Sequence, residues 1–381
     1  MIRKIKSLQN HQGFMKYFKN TSWLFIDKIF RIILSAIVGI WTARYLGPEN
    51  FGILSFAISF VGLFGAFAKL GLDGIITRNI VRNPNDSNKI LGTSLVLRII
   101  GTLILLLFVF VSLQFIDVTT DEKYIVMILA FGQLFMSFEL INCYFQAKVK
   151  GKYSAIVNST GITILSIAII CFILLELPLI YFAFSVIIEQ IVRSIIFYIL
   201  YSKLKKEEDN NFQPIKSLTF RFNIAKELLK DSWPLILAGI AIAINLRIDQ
   251  IMIKEFLGNE QVGLYAAAVK IADVLVILPH VIKSSIYPSF INAHKKDHSF
   301  FLERISYGYK VLFYISLILA ITMFLSANFI INTLFGEEYK DAVPVLQLAS
   351  ITILFASINA NCLFSTEIIL RLFTSLIAVG S

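Results

Sequence analysis

Apolar side chains run through this chain in long blocks separated by short polar punctuation. Ile99–Ile116, Ile162–Leu175 and Leu312–Ala327 contain no Lys, Arg, Asp or Glu at all. A helix rises about 1.5 Å per residue, so blocks near this length approach the roughly 30 Å of bilayer hydrocarbon. The pattern predicts an all-α polytopic membrane protein. Ten spans are expected, at approximately 20–45, 51–73, 90–116, 124–147, 154–176, 180–202, 229–256, 263–290, 306–330 and 342–365, with a tail of mixed character to Ser381.

Composition agrees with that solvent. Hydrophobic residues make up 57% of the 381 and charged residues 16%, whereas a soluble surface needs about 25%. The formal charge of +10 admits nucleic acid, an acidic substrate or membrane topology as its reason, and its distribution decides. With the N-terminus placed in the cytoplasm, the inward connections and tail carry 22 of the 35 Lys and Arg residues, while the outward loops carry Lys123 and Lys340 alone. That asymmetry orients a membrane protein, and no nucleic acid is needed to account for it. Cys143, Cys171 and Cys362 all sit in apolar runs without a CxxC spacing, so neither zinc nor a disulfide framework is expected. The N-terminus is basic and polar to about Lys19, and the apolar run after it is too long for the core of a cleavable signal.

The largest inward connection gives the organisation. Residues 1–202 form an N-lobe of six spans. Residues 203–228 form a cytoplasmic linker with a short amphipathic helix suited to the inner leaflet. Residues 229–381 form a C-lobe of about four spans and a tail. An internal repeat crosses the linker. Arg44–Ala57 aligns with Glu255–Ala268 at a constant offset of 211, with Leu46/Leu257, Gly47/Gly258, Glu49/Glu260, Gly52/Gly263 and Ala57/Ala268 identical. Ser22-Trp23 and Ser232-Trp233 precede the two copies, one residue out of phase. Six expected spans separate the copies, so both halves enter the membrane in the same sense. This is a parallel repeat, with its axis along the membrane normal and a central cavity between the lobes.

Three segments carry a resemblance. Trp41–Gly52 (WTARYLGPENFG), Leu70–Gly74 (LGLDG) with Arg78 following, and Gln146–Ser154 (QAKVKGKYS) resemble the polysaccharide transporter family, which includes the O-antigen flippases. That family lies within the superfamily of multidrug, oligosaccharidyl-lipid and polysaccharide exporters. The resemblance covers residues 20 to about 365. It implies a transporter and not an enzyme, resident in the bacterial inner membrane. Its cargo would be an undecaprenyl-pyrophosphate-linked oligosaccharide, moved from the cytoplasmic to the outer leaflet. It also implies polysaccharide polymerase and chain-length partners, and twelve or more spans in two lobes. Asn361-Cys362-Leu-Phe364 echoes Asn142-Cys143-Tyr-Phe145, yet no equivalents of spans five and six follow before Ser381. The expectation is a C-lobe cut short.

Ionisable groups deep in spans need a reason, since each costs about 2.5–3.5 kcal/mol on insertion scales. Lys69, Arg98, Lys283 and Lys310 lie near cytoplasmic ends, where their stems can snorkel. Asp27 and Arg31, and Glu189 and Arg193, are i,i+4 pairs on one helix face, and Lys270 and Asp273 are i,i+3. Arg247 and Asp249, two apart, point to different sides, and Glu139 stands alone on its span. Two readings stay open. In one, each pair neutralises itself and staples the bundle. In the other, Arg31, Arg247 and Lys270 hold a pyrophosphate head group, for which an arginine fork suits two phosphate oxygens. Asp27, Glu139, Glu189, Arg193, Asp249 and Asp273 would then be charge partners or coupling groups.

Pro279 and Pro288 interrupt the eighth span as a hinge or a static kink. His294 and His298 are i,i+4 with no third ligand near, so they read as a solvated loop. No metal or organic cofactor is called for. The ligand is a lipid-linked oligosaccharide on the leading reading. A multidrug antiporter would favour a cavity dominated by acids. A glycan polymerase or ligase would need a substantial outward loop, and the longest here, Ile331–Asp341, is short.

Overall fold

The computed structural model describes residues 12–208, 218–294 and 298–358. Among the described residues the fold is helical, without strands. The helices are α1 (Gln12–Leu63), α2 (Gly65–Lys69), α3 (Asp73–Arg82), α4 (Ser87–Ser112), α5 (Thr120–Met136), α6 (Ile141–Ala147), α7 (Gly151–Leu174), α8 (Leu179–Glu208), α9 (Phe222–Leu257), α10 (Asn259–His294), α11 (His298–Leu334) and α12 (Val343–Ile358). Short 3-10 turns at Pro84–Asp86, Ser137–Leu140 and Glu337–Ala342 join some of them.

Six described stretches are long and apolar enough to cross a bilayer: Pro84–Ser112, Thr120–Ala147, Gly151–Leu174, Leu179–Glu207, Phe222–Leu257 and Ser306–Leu334. The chain is an all-α, multi-pass membrane protein. Helix α4 shows what a bilayer asks for, exposing Ile100, Leu103, Leu107 and Phe110 along one side. Asn20–Leu63 together with Gly65–Arg82 form a pair bent by 47°. Hydrogen bonds make this pair two crossings. Asn20 accepts from the Gly151 amide at one end, and Tyr45 donates to the Leu177 carbonyl at the other (3.0 Å). The chain then returns, and Gly71 meets Leu235 near the start of α9. The reversal is at Gly47, whose φ of 70° and ψ of 171° are outside the helical region. Such a conformation is open to glycine and strained for other residues. The expected spans 20–45 and 51–73 are the two arms. Expected span 263–290 lies within α10, while expected span 342–365 begins with α12 and runs past residue 358, outside those described. The amphipathic linker helix falls partly on residues 209–217, also outside them, as does the tail from 359.

Packing groups the chain into two units, one ending at Gly263 and the other beginning at Leu264. In the first, α9 lies against α1 to α4, so the first span expected in the C-lobe packs with the N-terminal helices. In the second, α11 packs on α12, with the rings of Phe335 and Tyr339 in tilted contact (5.3 Å) at their connection.

The repeat is physical. Gly258 has φ 86° and ψ 179°, the conformation of its counterpart Gly47. The two turns also touch reciprocally. A Cβ on Gly52 would overlap the carbonyl of Asn259, and a Cβ on Gly263 would overlap the carbonyl of Pro48. Each contact is the other shifted by the repeat offset, the signature of a local two-fold relation. From there α1 and α9 run antiparallel through the membrane. Ser59 meets Gln250, Gly62 meets Arg247, Ala66 meets Gly239 and Arg78 pairs with Asp231. Small residues let helix backbones approach closely where no hydrophobic force drives them together.

Gly52→Ala or Gly263→Ala should therefore cost about 1–3 kcal/mol of stability through forced separation of the turns. Gly65→Ala, whose Cβ meets open space, should leave the melting temperature of the detergent-solubilised protein within a degree or so of wild type.

Candidate functional site

Each charge in this interior is placed by a particular helix crossing. Asp27 on α1 is buried and accepts from Arg31 Nε (3.1 Å), one turn on, and from Ser159 Oγ of α7 (2.8 Å). The expected Asp27–Arg31 pair thus forms and is tied to a second helix, leaving Arg31 about two-fifths exposed. Arg193 on α8 reaches Glu189 on its own helix (3.7 Å), as its spacing predicts. It also reaches Glu139 (3.4 Å) and donates to Asn158 Oδ1 (2.8 Å). Its stem lies across Gly161 of α7, where a Cβ would stand 2.5 Å from Cγ. Glycine at 161 is what lets α7 and α8 close over an arginine.

Two sequence expectations are corrected here. Glu139 is not alone: it faces Arg193 and, on its other oxygen, Lys69 (3.8 Å). Sequence spacing could not show this, because the 3-10 turn Ser137–Leu140 rotates Glu139 off the face it would hold in a continuous helix. Lys69 therefore turns to a carboxylate as well as keeping an exposed stem. Nor does Arg98 snorkel. It is 2% exposed and pairs with Asp73 at the start of α3. The Leu70–Gly74 segment breaks the second arm, with Leu70 (φ 51°) and Gly71 (φ 61°) both left-handed. That break swings Asp73 onto Arg98.

At the end that holds the Gly47 and Gly258 turns, Glu122 is buried and closes a capping box with Thr119. It also takes the Nζ of Lys254 (3.8 Å) and the amide of Asn259, while Lys254 donates to the Asp117 carbonyl. This cluster, absent from the sequence reading, pins the Gly258 turn to α5. A Lys near the end of one span and a Glu at a helix N3 position were its only legible signs.

Arg247 differs from all of these. It lies half-buried on α9 with its Nε 3.4 Å from where a Gly62 Cβ would be. Among the described residues it makes no ion pair or hydrogen bond. It stands ten residues before Leu257, about 15 Å along the helix and so near mid-membrane. Asp249, two residues on, accepts the Gln250 backbone N–H (2.8 Å). Lys270, half-buried, and Asp273, exposed, lie on α10 in the second unit. The side chains of Pro279, Pro288, His294 and His298 lie outside the described residues.

This fold and this interior have known counterparts. Residues 17–294 match the family described as polysaccharide biosynthesis protein. The chain belongs to that family. A Shigella flexneri relative, named "Putative O-antigen transporter", is 25% identical over 341 residues, spanning 86% of this chain and 78% of its own. Among solved structures, the chain resembles a multidrug resistance MATE family transporter of the MOP superfamily in its inward-facing conformation. The TM-score is 0.65 at 16% identity, over 86% of this chain and 78% of that one. The outward-facing form of such a transporter gives 0.57 at 14% identity, over 90% and 79%. The fold is therefore that of MATE transporters, as the resemblance read from the sequence implied.

Arg193→Leu should be among the most destabilising single changes in the interior. It takes the partnering arginine from Glu189 and leaves Glu139 with Lys69 alone, a loss of about 3–5 kcal/mol typical of broken buried pairs. Arg31→Leu should cost less, since Asp27 keeps Ser159 and Arg31 is more exposed. Thermal unfolding in detergent would rank them.

Proposed function

We propose that the chain is a flippase carrying an undecaprenyl-pyrophosphate-linked oligosaccharide from the cytoplasmic to the outer leaflet of the bacterial inner membrane, by alternating access. In this reading the N-terminus is cytoplasmic, as the Lys and Arg distribution favours. The chain carries cargo and performs no bond chemistry, and polymerase and chain-length proteins act on what it delivers.

The observation that carries the proposal is Arg247. A cation near mid-membrane without a counter-charge is costly, and a phosphorylated head group would supply the missing charge with two hydrogen bonds per fork. Arg31, exposed at one end of the charge chain, is a second contact, and Lys270 on α10 is proposed, from its depth in its own span alone, for a head-group role. Asp27, Glu139, Glu189 and Arg193 serve as charge partners that keep the empty interior from accumulating positive charge. Asp249 and Asp273 are proposed for coupling. Pro279 and Pro288 are proposed as hinge positions.

The MATE fold favours a second reading, a multidrug antiporter. Cationic drugs need free carboxylates, however, and Asp27, Glu139 and Glu189 each already face an arginine of this chain. That matching weighs toward an anionic cargo.

Deleting the chain from its host should cause lipid-linked oligosaccharide to accumulate on the inner leaflet, and normal outer-leaflet delivery would remove the proposal. Arg247→Glu should reduce transport at least a hundredfold without loss of membrane insertion, since charge reversal against a buried anion costs several kcal/mol. Survival of both Arg247→Glu and Arg31→Glu would show that the cationic site is wrongly assigned.

A further inference from the structure

Beside Arg247 on α9 sits a group that the sequence reading passed over. Gln250 is three residues further on, hence on the same face, and it too rests on α1. Arg247 lies at Gly62 and Gln250 at Ser59, which are themselves three apart. Ser59 is 1% exposed, and its hydroxyl donates to Gln250 Oε1 (2.8 Å). That bond turns the amide oxygen toward α1 and fixes which way the group faces. The two N–H donors of Nε2 then have no acceptor among the described residues. Asp249, the nearest carboxylate in sequence, is engaged with the Gln250 backbone N–H.

We propose that Gln250 is a second donor to the head group held by Arg247, and that Ser59 is the positioning residue that turns its amide into a donor. This rests on the Arg247 reading and extends it. A guanidinium beside a fixed NH2 presents donors alone, with no acceptor directed at the ligand. Such a set suits the several acceptor oxygens of a phosphate or pyrophosphate. It disfavours a cation, and it disfavours hydroxyl-rich sugar, which needs acceptors as well as donors.

The test uses the purified full chain in detergent, with calorimetric titration of inorganic pyrophosphate and, separately, farnesyl pyrophosphate. Wild type should bind the second, and binding of the first as well would mean that the phosphates alone suffice. Gln250→Leu should weaken binding about tenfold, the worth of one hydrogen bond to a charged group. Gln250→Glu, the same shape with a negative charge, should abolish it. Ser59→Ala should weaken binding severalfold by freeing the amide to turn, and Ser59→Thr, which keeps the hydroxyl, should restore it. The restoration separates positioning from general packing damage. Wild-type affinity in Gln250→Glu and Ser59→Ala, with binding lost in Arg247→Ala, would overturn this inference and leave the Arg247 site standing. Unchanged binding in Arg247→Ala, or no binding of either probe by wild type, would overturn both.

Discussion

An ionised side chain within hydrocarbon has no water to hold it, and the interior of this protein is arranged around that deficit. Arg193 is the centre of the solution. One guanidinium serves Glu139, Glu189 and Asn158, so two acids from different helices can share one cation. That economy requires α7 to pass close by, and Gly161 grants the approach. The same logic appears at Asp27, which draws on Arg31 and Ser159, and at Asp73, which meets Arg98. Charge neutralisation here is also helix placement. Each cluster joins helices that must lie side by side.

Glycine carries the other half of the constraint. The reciprocal seat of Gly52 on Asn259 and Gly263 on Pro48 sets the separation and register of α1 and α9 where they meet at the Gly47 and Gly258 turns. Once that register is set, Ser59 must face Gln250 and Gly62 must face Arg247 further down the seam. At the opposite end, Arg78 of α3 pairs with Asp231 of α9. The polar groups at mid-seam are thus located by contacts on either side of them. A local two-fold relation explains why the seat uses glycine in both copies: a side chain in either would push on the backbone of the other.

Much of this was legible in the sequence, and what was not has physical causes. Apolar run length located the spans because hydrocarbon thickness admits few alternatives. The aligned glycines announced a repeat, and the shared φ of Gly47 and Gly258 is what that alignment was recording. Helical spacing found Asp27–Arg31 and Glu189–Arg193 because both partners sit on one helix. It failed for Glu139, Arg98 and Glu122, whose partners come from other helices and whose orientation depends on a 3-10 turn, a left-handed break and an N-cap. Spacing has no access to tertiary partners. Arg98 misled for a further reason. Depth alone suggested a snorkelling stem, but snorkelling needs an open route to the interface, and the Leu70–Gly74 break fills that route with Asp73.

A carrier must also let go, and this limits how strong its site can be. Three converging arginines would hold a pyrophosphate too firmly for release, since charge-assisted bonds are roughly twice as strong as neutral ones. The interior has several cations, yet most are committed to acids of the chain itself, and Arg247 is the one standing apart among those described on α1 to α9. A neutral amide beside it adds direction and selectivity without adding charge. The matched acids have a second effect. On the proposed reading, a doubly charged head group entering near Arg31 would compete with Asp27 for the same guanidinium, so that part of the attraction would go into loosening an internal pair. Binding that strains an existing contact is weaker than the sum of its hydrogen bonds, and it is coupled to helix position. A network balanced in the empty state and unbalanced by its cargo has a physical reason to change conformation when the cargo arrives.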